Sequence, residues 1–252
     1  MHKILSFLAL FTVLSATGLP ALAVGGDGHS SHITVNGVQR YFMVGKSPVQ
    51  NVEVTNRSKR TMTLQTNVEK RLNPGEKDGK FEDVGSSFLF SPKQFTLKPN
   101  EMRMVRMVRS VQHDDEEHVY RVSFAPTKEM LRAEQAKANA EGVEMGVSMV
   151  LTNGMLVLVS PRKVKEDLTY TRDAEGITFT NNGNISVDMR RRLEYCYSTD
   201  AGGEECTQLP GKRIYPGKSW RFEIDGSIPV EYYYMIYNKH SKHAPLNIKP
   251  AF

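Results

Sequence analysis

His113-Asp114-Asp115-Glu116-Glu117-His118 sets four carboxyl groups between two imidazoles. Oxygen and nitrogen donors packed this closely suit a hard cation. The same run between two strand patterns is also an ordinary solvated acidic loop, and that is the reading adopted. His29 and His32 sit in the Gly/Ser-rich stretch VGGDGHSSH, with no further ligand spacing, and read as a solvated tail. The chain holds no H-E-x-x-H, no G-x-S-x-G and no Gly-rich phosphate loop. No enzyme, metal or cofactor chemistry is therefore expected. Cys196 and Cys206 are the two cysteines, ten residues apart in CYSTDAGGEEC. A redox dithiol is usually C-x-x-C, so the pair reads as a disulfide joining neighbouring strands through a turn at Asp200, Gly202 and Gly203. Closing such a loop stabilises by roughly 2–3 kcal/mol.

The chemistry that stands out is recognition. VEMGVSMVLTNGMLVLVSPR, from Val143 to Arg162, is the most apolar stretch after the N-terminal segment. In a strand, Val143, Met145, Val147, Met149 and Leu151 project to one side, while Glu144, Gly146, Ser148, Val150 and Thr152 face the other. Beyond Gly154, the run MLVLV is apolar on both faces, as expected of a strand enclosed within a sandwich. An open, oily strand edge invites aggregation and is normally blunted. Left open, it is suited to completion by another chain. Methionine, present 12 times, adapts well to irregular apolar partners.

Residues 1–23, MHKILSFLALFTVLSATGLPALA, have a basic start, an apolar run and Ala21-Leu22-Ala23, the layout of a cleavable secretory leader. No later segment is long and apolar enough to span a bilayer. The net charge of +5 includes no Lys/Arg block of the kind that binds nucleic acid. From His32 to Phe124, short alternating runs such as SPVQNVEVTN, TMTLQTNVE and HVYRVSFAP alternate with turn tokens such as Lys98-Pro99-Asn100, which predicts a β-sandwich. Residues 127–142, TKEMLRAEQAKANAEG, read as a solvated helix or a mobile loop. Ser160-Pro161 closes the first domain (24–160). The block 163–252 repeats the strand pattern and reads as a second sandwich.

The order FLFSPKQFTLKPNEMRMVR, HVYRVSF, LVLVSPR, with FTNNGN, the cysteine pair and YPGKSWRF, resembles the periplasmic chaperones of the chaperone–usher pilus pathway. It is most similar to their alternate, common-pilus branch. The resemblance spans nearly all of the chain past the leader. It implies an all-β fold of two immunoglobulin-like domains in an L or boomerang arrangement. It also implies a periplasmic location and a role in binding pilus subunits and handing them to an outer-membrane usher by donor-strand complementation. Counting back from Pro161, the family's donor positions fall on Val147, Met149 and Leu151, with Val143 and Met145 extending the face. Alignment on Asn56 puts Arg40 at one of two basic positions that hold the subunit's terminal carboxylate. The second, usually lysine, falls on Leu156, leaving Arg162 and Lys163 as the nearest cations. A self-capping homodimer is a further expectation; nucleic acid and membrane insertion are not. The rival reading is a secreted tandem sandwich such as a pilus subunit or adhesin, whose N-terminal oily extension this chain lacks.

Overall fold

A computed structural model of the chain describes residues 33–140, 153–190, 195–198, 202–207, 210–228, 230–237 and 243–248. The leader and the donor positions Val143, Met145, Val147, Met149 and Leu151 lie outside the described residues. The first half comprises β1 (Ile33–Val35), β2 (Gln39–Phe42), β3 (Val49–Asn56), β4 (Met62–Arg71), β5 (Phe81–Asp83), β6 (Phe88–Ser91), β7 (Gln94–Leu97), β8 (Met102–Arg109), β9 (His118–Pro126), α1 (Lys128–Ala140) and β10 (Asn153–Val159). One sheet runs β1-β3-β8-β6; the other runs β2-β10-β9-β4-β5, with β7 also on β4. The second half comprises β11 (Leu168–Arg172), β12 (Gly176–Asn181), β13 (Val187–Arg190), β14 (Tyr195–Ser198), β15 (Glu204–Thr207), β16 (Lys212–Ile214), β17 (Ser219–Glu223), β18 (Val230–Ile236) and β19 (His243–Ile248). Its sheets are β11-β12-β17, β16-β13-β18-β19 and the hairpin β14-β15. Among the described residues no strand of one half pairs with a strand of the other.

The elements follow from alternation. In β4, Met62, Leu64, Thr66 and Val68 turn inward while Thr63, Gln65, Asn67 and Glu69 turn outward. Leu64, Val105, Val122, Phe124 and Val157 fill the first core without measurable exposure. Burying a side chain of this size stabilises by about 1.5–3 kcal/mol. Phe88 sits 5.6 Å from Phe42 and 5.1 Å from Tyr120, centroid to centroid. In the second core Phe179 stacks on Trp220 at 5.7 Å and meets the edge of Tyr232 at 5.2 Å.

Each sandwich turns a corner on a buried asparagine. Asn56 reaches the carbonyls of Arg60 (2.7 Å) and Leu97 (3.1 Å) through Nδ2, and its Oδ1 accepts from the Ser58 backbone and hydroxyl. Asn181 reaches Ile185 (2.8 Å) and Ile214 (2.9 Å) through Nδ2 and accepts from Gly183. A buried amide can persist only when both its ends are bonded.

Two expectations are sharpened. Residues 128–140 of the ambiguous polar stretch are helical; the helix is capped by Thr127, whose hydroxyl accepts from the Met130 amide at 3.3 Å. Met130 anchors the helix to the first core. The doubly apolar run in β10 does not lie wholly inside one sandwich. Met155, Val157 and Val159 face the first core, while Leu158, with Val119, is buried under Tyr215 of the second half. In the hairpin, Cys196 stands opposite Cys206, and neither cysteine is free.

Candidate functional site

β10 is paired on one side along its whole length and on the other only in part. Toward β9, its register runs from Asn153↔Phe124 to Val159↔His118, antiparallel. Toward β2, it runs parallel from Leu156↔Gln39 to Val159↔Phe42. The amides of Leu156 and Ser160 donate to Val38 and Phe42 on that side, at 2.8 and 2.9 Å. By the two-residue period, Gly154 turns its N–H and C=O the same way. There they meet no partner among the described residues. β1 passes close by but bonds to β3 in the opposite sheet. Among the described residues the strand edge therefore opens at Asn153–Met155, two residues past Leu151.

The sheet's outer face is set by register. Opposite Leu158 stand Val119 of β9 and Tyr41 of β2, with Arg71 of β4 opposite Phe81 of β5. The next row holds Gln39, Leu156, Arg121, Glu69 and Asp83. The row after it holds Gly154, Ser123 and Asn67. The second half covers the first of these rows at Leu158 and Tyr41 and reaches the second at Leu156 and Gln39. Hollows of about 350 and 440 Å³ meet at Gly154 and Arg121.

The joint between the halves is built around Arg213. Its Nη2 donates to Tyr41 (2.6 Å), Gln39 (3.0 Å) and Asp188 (3.3 Å), and Nη1 donates to Ser186 (3.0 Å). Tyr41 and Tyr237 stack at 3.8 Å, with the guanidinium carbon 5.6 and 5.8 Å from their centroids. Burial opposes the Arg213 charge, but the Tyr41 oxygen and Asp188 outweigh it and raise the pKa. Burial likewise pushes the Tyr41 phenol up. The loop after β4 reaches the same region. Gly75, at φ +89°, brings its backbone against Tyr215, where a Cβ would lie 3.2 Å from the ring, and Lys218 pairs with Glu76 at 2.7 Å.

The acidic run disperses to separate partners. His113 Nδ1 lies 2.7 Å from the Ser160 carbonyl, His118 pairs with Asp114 at 3.3 Å, and Asp115 pairs with Arg162 at 3.1 Å. Asp114 and Asp115 are solvated, as expected, but Glu117 is a correction. Its carboxyl group is enclosed in the joint, accepting from the Ser186 hydroxyl at 3.1 Å and the Ser186 amide at 3.3 Å. Burial pushes its pKa up to about 7, against the opposing pull of Ser186 and Arg213.

The sequence-derived cations meet separate partners. Arg40 shares the inward-turned parity of Phe42 and folds back on the turn before β2, where Nη1 donates to Gln39 at 3.1 Å and Nη2 to Asn36. Arg162 is tied to Asp115 and, through its amide, to Asp114. Lys163 is exposed and lends its carbonyl to Asn184 at 2.8 Å. No hydrogen bond or ion pair joins any two of the three. The sequence reading missed Arg213, Glu117 and the tyrosines at the joint. The one local sign was Arg213 itself, a cation between Lys212 and the buried Ile214-Tyr215.

Residues 33–165 match the family described as pili and flagellar-assembly chaperone, PapD N-terminal domain. The chain belongs to that family, whose members are chaperones of pilus assembly, a role without catalysis. The fold agrees with that assignment. The class 5 fimbriae chaperone CfaA superposes with a TM-score of 0.54 at 17% identity, covering 86% of this chain and 99% of that one. A chain of the chaperone–tip adhesin complex of CFA/I fimbriae biogenesis gives 0.52 at 20% identity, covering 87% and 100%. A chain of the Salmonella enterica SafA pilin–SafB chaperone complex gives 0.50 at 14%, covering 86% and 95%. No curated sequence matches this chain. The all-β architecture of two sandwiches is thus that of fimbrial chaperones, and the protein acts on pilus subunits.

Proposed function

We propose that the chain works in the periplasm by lending the edge of β10, with the residues just before it, to a pilus subunit whose own sandwich lacks a strand. Val143, Met145, Val147, Met149 and Leu151 supply the apolar face that enters the subunit. The observation that carries this is the edge at Asn153–Met155, which β2 leaves unpaired. Backbone hydrogen bonds then give affinity and the alternate side chains give selectivity. Each large side chain taken up by the subunit contributes about 1.5–3 kcal/mol. The subunit is passed to an outer-membrane usher, and release follows when the next subunit's extension replaces the chaperone strand. Pairing of two free edges in a self-capped dimer is the state expected without a subunit.

The test is co-expression with fimbrial subunits and affinity capture. Met149→Asp should reduce recovery of the complex at least a hundredfold while thermal unfolding of the free protein stays at the wild-type temperature. Undiminished recovery would sink the reading.

A further inference from the structure

The two buried asparagines hold corners that face different things. The Asn181 corner meets the joint, where Asn184 donates to the carbonyls of Asp115 and Lys163, both at 2.8 Å. The Asn56 corner lies at the other end of the first sandwich. β4 runs ten residues from that corner to the hairpin whose Gly75 meets Tyr215, a separation of about 30 Å at the rise of a strand.

Asn56 ties two turns together there. Its Nδ2 donates to the Arg60 carbonyl in the turn before β4 and to the Lys98 carbonyl, at 3.1 Å, in the turn before β8. Its own carbonyl accepts from the amide of Asn100, which sits at φ +59°, a conformation asparagine tolerates. Backbone polar groups thus turn inward onto Asn56 and the buried Ser58. Arg57, Lys59, Arg60 and Lys98 are left on the outside, all exposed. The single acid of these two turns, Glu101, accepts from the Lys98 amide at 2.7 Å and pairs with Arg103 at 3.4 Å.

An apolar strip adjoins the cations. β8 starts where the second turn ends, and its outward residues Met102 and Met104 are 51% and 50% exposed, whereas Met107, turned inward, is fully buried. Across from them on β3 stand Thr55 and Glu53, and Arg106 follows Met104 on the same face. Long cationic arms on a projecting corner, beside unbranched thioethers, suit a partner that is flat, fluid and anionic. Each Lys or Arg near an anionic membrane strengthens binding about fivefold. Apolar side chains at that level enter the headgroup–acyl boundary, while the cations keep their charges among the headgroups.

We propose that the Asn56 corner, through Arg57, Lys59, Arg60, Lys98, Met102 and Met104, docks the protein on an anionic phospholipid surface. Docking of this kind puts the open start of β10 on the membrane side of the molecule: Asn153 is opposite Phe124, and Phe124 opposite Thr66, four residues past Met62. It does not require strand lending and is tested without a subunit.

The experiment uses protein purified from periplasmic extract, checked by mass to lack residues 1–23, whose apolar run would itself bind lipid. It is floated with phosphatidylethanolamine vesicles containing phosphatidylglycerol, and with phosphatidylcholine vesicles. The protein should float with the anionic vesicles only, and less as salt rises. Arg57→Gln with Lys59→Gln should cut the partition coefficient about 25-fold, at about fivefold per cation. Lys77→Gln with Lys80→Gln, the same charge change on the hairpin at the joint end, should cut it by less than about twofold. Met102→Ser with Met104→Ser should weaken binding about threefold or more and leave its salt dependence unaltered. Thermal unfolding at the wild-type temperature separates these losses from misfolding. Equal losses from the two cation pairs would reduce the effect to net charge and overturn the corner. Flotation with phosphatidylcholine, or no flotation at all, would overturn the lipid. Equally strong binding to immobilised polyglutamate, indifferent to the methionine changes, would reassign the corner to an acidic protein.

Discussion

The two ends of β10 differ in composition and in surroundings: Asn153-Gly154-Met155 at one, Leu156-Val157-Leu158-Val159 at the other. From Leu156 to Val159 the strand has a neighbour on each edge and a packed layer on each face: the first core on one side, Tyr215 and Val119 on the other. From Asn153 to Met155 it keeps β9 alone, and its outer face opens into hollows. One continuous strand is thus unpaired along one edge at its start and packed into the joint at its end. The joint packs the far end of the strand between the first core and Tyr215.

The largest effect should come from breaking the paired end. Leu158 is 1% exposed and packs with Val119 and Tyr215. Leu158→Asp places an unpaired charge there, which costs about 3–5 kcal/mol. Urea unfolding followed by tryptophan fluorescence should show that loss. Stability within about 1 kcal/mol of wild type would mean that the joint does not hold the strand.

Glu117 sharpens the same point through pH. Its carboxyl group, facing Ser186, Arg213 and Tyr215 across the joint, has its pKa raised from 4.5 to about 7. The folded protein therefore keeps a proton that the unfolded chain gives up from about 4.5 upward. This group's contribution is most favourable below pH 4.5, declines as pH rises toward 7 and is flat above, a change on the order of 3 kcal/mol. Glu117→Gln accepts the same Ser186 bonds without ionising. Its stability relative to wild type should rise between pH 5 and 7.5 and then level off. A pH-independent difference would show that Glu117 does not titrate within the joint.

How much of this was legible in the sequence follows from the range of the interactions. The alternation in β4 and β9 is local, and the strand pattern could be read from it. The same alternation puts Arg121 on the outward parity. That Arg121 stands opposite Leu156, 35 residues later in the chain, depends on a register that no local pattern contains. The double-sided apolarity of MLVLV was visible, but its second partner, Tyr215, lies in another sandwich. Glu117 reads like its solvated neighbours because Ser186, which encloses it, is 69 residues away. Arg40 could be found by alignment, yet its engagement with Asn36 depends on the turn at Gly37, φ +77°.

Arg40 gives the smallest effect and the finest division between the two ends. Its guanidinium holds the Asn36 carbonyl, the acceptor that the parallel register would next bring to the Gly154 amide. With that carbonyl occupied and the chain turning at Gly37, β2 stops at Gln39 and the edge beyond stays open. Arg40→Ala should leave thermal unfolding unchanged and weaken subunit capture by about twofold to fivefold, the scale of one net hydrogen bond. A subunit extended by two C-terminal glycines then separates two roles for the side chain. If Arg40 keeps the edge clear, native and extended subunits lose affinity alike. If it grips the terminal carboxylate, the extended subunit, already deprived of that contact, is indifferent to the substitution. Equal weakening, measured as dissociation rates of the purified complexes, is the expected result.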